Sequence, residues 1–300
     1  MDRDTVLEVD GIPCRSSLLY AGSLIRIREW QFIVESARTI ALGDYLSRLL
    51  GWSRDGRIAV DSALRTLLRA HQDGTPVLIR GDGELTGIVR GLHDRMVGPQ
   101  APLVACRRTG YHKKTAHGVM GVLAKRPGLI AYRDASQGTL MLSAHELPDD
   151  LPAVLTEARS TPGRVLVLVV AGLTGPYTSP STLTIPPIGD RMPERDLIIV
   201  DYLEEATDEL GLRRGAWRLS DLDWMEQFCA RTHAEIQEGA QHVLAIAASA
   251  SMDEAASRLA TDVDGLAKWL REKTGEDPSA HRWGQQIECG VRDAGKGGAP

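Results

Sequence analysis

No stretch of this chain is long and apolar enough to cross a bilayer. The longest apolar run, Val165–Leu173, falls far short of the roughly 20 residues that a spanning helix needs. The first ten residues, MDRDTVLEVD, are acidic and lack the basic-then-apolar order of a signal peptide. Cysteine is sparse: Cys14, Cys106, Cys229 and Cys289 lie far apart, never as CxxC, which argues against a zinc site or a disulfide framework. They read as reduced thiols in a cytoplasmic protein. The eight histidines include no HxxxH or HxH pair, so metal ligation has no support. There is no nucleophile elbow and no Ser, His and Asp spacing that would suggest a hydrolase. A formal net charge of −5 gives no general attraction for nucleic acid.

What is present suits a globular protein. Hydrophobic content of 43% and charged content of 25% are ordinary, and 300 residues allow one main core with smaller appendages. The organising stretch is residues 138–171. Leu140–Leu142 is a short apolar run ending in polar residues, as where a buried strand leaves a sheet. Asp150–Ala158 reads as a helix, and Val165–Val170 as a strand with almost no polar residue. Such an unbroken Val/Leu run needs both faces covered, which predicts a central strand of a parallel sheet.

Upstream, Thr5–Val9 and Leu24–Val34 alternate apolar and polar side chains, with turn residues at Asp10-Gly11 and Ala21-Gly22. This predicts a small β element packed on the core. Residues 37–58 read as a connection, with GWSRDG as a loop. Val60–His71 carries a helical apolar face at Val60, Ala63, Leu64, Leu67 and Leu68. Val77–Ile79 and Leu103–Cys106 read as strands. Between them RGDGELTGIVRGLHDRM places glycines before a helix whose inward face is Ile88, Leu92 and Met96. Thr115–Leu123 reads as a helix. Alternation of this kind gives a parallel α/β sheet with covering helices.

Five segments in order carry a resemblance over residues 44–245: VLIRGDGELTGIVRGLH, PLVAC, QGTLMLSAHELPDDLPAVL, RVLVLVVAG and IPPIGDRMPERDLIIVDYLEEA. Together they resemble the AAA+ domain of sigma-54-dependent transcription activators (bacterial enhancer-binding proteins). The resemblance implies an α/β core, a helical lid and a C-terminal helix-turn-helix. The N-terminal stretch VDGIPCRSSLLYAGSLIRIREWQFIVE resembles the last strands of a forkhead-associated domain, without the loops that read phosphothreonine. SMDEAASRLATDVDGLAKWLREKTG resembles the family's Fis-type helix-turn-helix. In it, Ala255, Ala256 and Leu259 would face inward from the first helix, and Leu266, Trp269 and Leu270 from the second.

The departures from the family concern charge. A phosphate loop aims backbone N–H groups at the anion and adds a Lys. Here the loop Gly81, Asp82, Gly83, Glu84 to Gly87 has no Lys at that place and carries two acids that would repel phosphate. Where the family has a metal-holding Asp and a water-activating Glu, this chain has Ser143 and Ala144. RRTGYHKKTAHG replaces the sigma-contacting GAFTGA loop, Gln237 stands for the nucleotide-sensing Arg, and GPYTSPSTLT offers no arginine finger. Phosphoryl transfer depends on positioned charge. The expectation is therefore a protein that is not an enzyme, with no cofactor and no metal.

In the helix-turn-helix, Thr261, Asp262 and Asp264 occupy the positions that would enter the major groove. Four cations face five carboxylates over 246–275, a net of −1. Lys268, Arg271 and Lys273 are the candidate phosphate contacts, and Ile236–Ser249 the candidate dimer helix with Ile236, Val243, Leu244 and Ala247 in its seam. A second basic cluster, Arg107, Arg108, His112, Lys113 and Lys114, reads as a loop after a core strand. The domain expectation is a β-rich element at 1–36, a degenerate AAA+ core at 44–186, a lid at 187–245, a helix-turn-helix at 246–275 and a flexible tail at 276–300. The functional expectation is a DNA-binding transcription regulator that does not hydrolyse ATP. The alternative is a pseudo-ATPase scaffold without DNA binding. Expected partners are DNA and a protein of the transcription machinery or of a complex, with no membrane, and with self-association as a homo-oligomer, a dimer.

Overall fold

A computed structural model describes residues 7–19, 23–34, 36–115, 118–123, 126–174 and 177–275. The expected α/β class is observed: a mostly parallel sheet with covering helices, an antiparallel N-terminal sheet and C-terminal helices. The chain divides into two compact units at the Pro186–Pro187 step. The tail expected at 276–300 lies outside the described residues.

The first unit opens with strands β1 (Leu7–Val9), β2 (Ile12–Cys14), β3 (Leu24–Ile27) and β4 (Trp30–Ile33), ordered β2-β1-β3-β4. Antiparallel register sets Ile12, Val9, Ile25 and Phe32 in one rung, and Cys14, Leu7, Ile27 and Trp30 in the rung two residues away. Side chains two apart share a face, so one face of this sheet is apolar. The rung between, Pro13, Glu8, Arg26 and Gln31, belongs to the opposite face. A packed β-hairpin was expected; the structure has a full four-stranded sheet, because Ile12–Cys14 and Trp30–Ile33 each find an antiparallel partner.

Residues 37–58 are not a connection. They form helix α1 (Ala37–Leu50) and the start of α2 (Arg54–Asp73). Ser36 caps α1 by accepting from the Thr39 N–H, and Ser53 caps α2 by accepting from the Gly56 N–H. The first helix buries Leu42, Tyr45, Leu46 and Leu49 at helical spacing. Then follow β5 (Val77–Gly81), α3 (Thr86–Met96), β6 (Leu103–Arg107), β7 (Gly110–Thr115) and β8 (Gly118–Leu123). The helix expected at 115–123 is thus a strand, held in an antiparallel hairpin with β7. Helix α4 (Pro127–Asp134), β9 (Thr139–Ser143), α5 (Leu151–Ser160), β10 (Leu166–Gly172) and β11 (Thr182–Thr184) complete the unit.

The main sheet runs β11-β5-β10-β9-β6-β7-β8. Its five strands from β11 to β6 are parallel, and the β7–β8 hairpin extends one edge. Strand β10 is central and fully sandwiched. Leu166 and Leu168 join a core with α1, α2 and α3, while Val165, Val167 and Val169 join a second core with α4 and α5.

The second unit is helical in its described residues. A 3-10 segment, Ile188–Glu194, leads to α6 (Arg195–Glu209), α7 (Leu219–Phe228), α8 (His233–Ala247), α9 (Met252–Arg258) and α10 (Val263–Thr274). Helix α8 packs against α6, α7 and α9. Its Gly239 lies so close to Cys229 that a Cβ there would sit 2.8 Å from the Cys229 Cβ. Among the described residues, no helix is long and apolar enough to cross a membrane.

Candidate functional site

The sheet topology locates the crevice before any residue is considered. From β5 the chain crosses in one direction to β6; from β10 it crosses in the other to β11. In open α/β sheets, ligands bind outside the carboxyl ends of strands where the direction of connection reverses. That point lies between β5 and β10. Register sets Gly81 beside Gly172, and Val170 beside Ser143. The glycine loop and the Ser143–Ala144 pair, far apart in sequence, therefore reach the same edge of the sheet.

The loop after β5 is closed on itself. Gly83 adopts a left-handed φ of 71°, which turns the chain sharply. The Asp82 carboxylate accepts from the Gly83 N–H at 2.9 Å, and the Glu84 carboxylate accepts from the Thr86 N–H at 2.8 Å. Thr86 is the first residue of α3, so its N–H is one that the helix itself leaves unpaired. A helix N-terminus attracts an anion, and here the exposed Glu84 carboxylate takes one of its N–H groups. Leu85 is buried and folds back on the loop: a Cβ on Gly81 would come within 2.7 Å of its Cδ2. Gly87 is the second residue of α3.

Arg80, the last charged residue before the loop, is also engaged. Its guanidinium donates to the Gly172 carbonyl at 3.2 Å, to the Leu173 carbonyl at 3.1 Å and to the Tyr177 carbonyl. It ties the end of β5 to the chain leaving β10, across the switch point. Sequence reading missed this residue; the signal available was a lone Arg ending an apolar strand, VLIRG.

At the neighbouring strand end, the Ala144 N–H donates to the Val170 carbonyl at 2.8 Å, and Ser143 accepts from the Glu146 N–H at 3.1 Å. Neither residue carries a carboxylate. The acids that follow have other partners. Glu146 pairs with Arg107 at 3.5 Å and Asp149 with Arg108 at 3.4 Å. Asp150 accepts from the Gly128 and Leu129 N–H groups at the start of α4. Among the described residues, no group of three or more His, Cys, Asp or Glu side chains converges as a metal site would.

The basic cluster is not a loop. Arg107 ends β6, Arg108 lies in the tight turn, and Lys113 and Lys114 belong to β7. The cause is the β6–β7 pairing, which sets Arg107 opposite Gly110. Tyr111 anchors the hairpin through its hydroxyl, which donates to Asp134 at 2.7 Å; burial, then that bond, pushes its pKa up to about 12. Burial likewise raises the Cys106 and Cys229 thiols to about 12, which leaves them unreactive.

In the second unit, α9 and α10 are joined by a short turn with Ala260 at φ 51°. Ala255, Ala256, Leu266, Trp269 and Leu270 are buried and Leu259 is half-buried. Asp262 caps α10, its carboxylate accepting from the Gly265 N–H at 2.6 Å. Trp269 stacks on His242 of α8 with ring centroids 4.2 Å apart. Lys268 pairs with Glu272 at 3.7 Å, and Lys273 with Glu235 at 3.5 Å, partly buried. Arg271 is exposed. The seam expected on α8 does not exist as a free surface. Ile236, Val243 and Leu244, three of its four residues, are fully buried inside this unit, where α6, α7 and α9 pack on α8, while Ala247 is exposed.

A solved structure resembles the chain. It is the crystal structure of NtrX from Brucella abortus in complex with ADP, with a TM-score of 0.39 and 10% sequence identity, over 75% of this chain and 69% of that one. No protein-family model matches the chain, and no curated protein matches it.

Proposed function

We propose that this protein is a pseudo-ATPase: a regulatory module that keeps the α/β scaffold of the sigma-54-dependent activators and neither binds nor hydrolyses nucleotide. The observation that carries the reading is the Glu84 carboxylate, seated 2.8 Å from the Thr86 N–H at the start of α3. A phosphate at that helix N-terminus would meet the Glu84 carboxylate, which opposes it by charge. The buried Leu85 beneath the loop, the Arg80 clamp and the absence of a carboxylate at Ser143 and Ala144 support the same reading. Such a module acts through its surfaces on a protein partner of the transcription machinery or of a larger complex. Calorimetric titration with magnesium and ATP tests it: no heat of binding is expected, and micromolar affinity overturns it.

A second reading, DNA binding through α9 and α10, is favoured by their short connection and common apolar seam. The charges weigh against it. Asp262 and Asp264 stand at the end of α10 that would enter a groove, and Lys268 and Lys273 already have carboxylate partners. Non-specific DNA binding rests on cations that displace counterions, and Arg271 has to supply most of that here. An electrophoretic shift comparing the wild type with Lys268→Ala/Arg271→Ala distinguishes the readings. Retardation at moderate salt that the double variant abolishes establishes DNA binding.

A further inference from the structure

The four-stranded sheet β2-β1-β3-β4 has its faces reversed relative to a packed β layer. A cleft of about 560 Å³ lies between it and α2, lined by Glu8, Asp10 and Arg26 from the sheet and by Arg65, Arg69 and Gln72 from the helix. The polar face therefore turns toward the rest of its unit. By the pleat, the apolar face turns away from it. That outer face leaves Ile12 68%, Trp30 64% and Phe32 50% exposed. None of its residues belongs to either core of the main sheet.

We infer that this face is a homodimer interface, in which two copies stack their sheets into an eight-stranded sandwich. The occupant follows from chemistry and area. The two rungs that build the face contain no charged side chain, so it offers a charged or polar partner nothing to pair with. An equally apolar sheet face is its complement, and a second copy supplies one through a two-fold axis. Taking an exposed aromatic as roughly 150–250 Å², the face presents on the order of 500 Å² of apolar surface per copy. Two copies would bury about 1,000 Å², the lower end for a specific interface. The partnership is independent of the nucleotide reading, and it replaces the α8 seam that the structure has closed.

The test is sedimentation velocity across micromolar concentrations. The wild type should pass from monomer to dimer. Trp30→Ser/Phe32→Ser, which removes two exposed side chains, should raise the dissociation constant roughly tenfold or more with an unchanged far-ultraviolet spectrum. Gln31→Ala, on the opposite face between them, should leave it unchanged. A second readout needs no interface substitution. Cys14 is half-buried on the apolar face, whereas Cys106 and Cys229 are buried. In a chain carrying Cys289→Ser, maleimide labelling of Cys14 should slow as protein concentration rises. A wild type that stays monomeric overturns the inference and leaves the face to a different partner. A dimer that survives the double substitution, or labelling indifferent to concentration, places the contact elsewhere and overturns it equally.

Discussion

Glu84 accepts through its carboxylate from the Thr86 N–H at the start of α3, where on the proposed reading it repels an outside anion. Replacing it with Ala removes a helix-terminal hydrogen bond and should cost about 0.5–1 kcal/mol, read as a lowered chemical-denaturation midpoint. That variant should still not bind ATP, because Leu85 remains buried beneath the loop. The sequence showed Asp82 and Glu84 as misplaced acids and Ser143 and Ala144 as missing ones. It did not show what the acids do, since a carboxylate's partner depends on how tightly the loop turns. Arg80 was invisible for the same reason: its acceptors lie more than ninety residues later. A second residue-scale prediction concerns His242. Burial against Trp269 lowers its pKa. The unfolded chain then binds more protons below the ordinary histidine value, so stability should fall as pH drops below about 6.5. His242→Phe keeps the stacked ring and removes the titration. Its melting temperature should vary less between neutral and mildly acid pH than that of the wild type; an identical pH dependence contradicts this account.

Among the elements, the parallel strands were legible and the irregular parts were not. Val77–Ile79, Leu103–Cys106 and Leu140–Leu142 fall within observed strands, and Val165–Val170 does so from Leu166 on, because a doubly covered strand needs an uninterrupted apolar run. Helix α1 escaped because exposed Ile40 and a mid-helix Gly43 blur its buried stripe of Leu42, Leu46 and Leu49. β8 was read as a helix because GVMGVL has no alternation, and its strand character comes from pairing with β7. Strand β11 is only three residues long and depends on its partner β5. Two substitutions test this layer. Val167 is 1% exposed at the centre of the sheet, and Val167→Asp would bury an unpaired charge at a cost of several kcal/mol. Soluble, cooperatively folding protein from that variant would displace β10 from the centre. Gly74 ends α2 at φ 62°, where a Cβ would meet the Ala158 carbonyl oxygen at 2.0 Å. Gly74→Ala should therefore lose about 2 kcal/mol or more, since both backbone conformation and space oppose it.

At the scale of the whole molecule, a net charge of −5 and the carboxylate partners of Lys268 and Lys273 lead us to expect that any DNA binding is weak and salt-sensitive. On the proposed reading the protein works by contact, through surfaces such as its apolar N-terminal sheet face. Its first unit has a mostly parallel sheet with a glycine loop after β5, where the Glu84 carboxylate accepts from the Thr86 N–H. The five short segments that resemble sigma-54 activators are legible in the sequence, whereas only the fold shows that Gly81, Gly172 and Ser143 reach one end of the sheet. The most direct test of the proposed loss of nucleotide binding is calorimetric titration of the full chain with ATP and magnesium, run beside a phosphate-release assay. The account predicts no binding heat through millimolar nucleotide and no phosphate above the buffer control. Micromolar binding, or magnesium-dependent phosphate release, would contradict it.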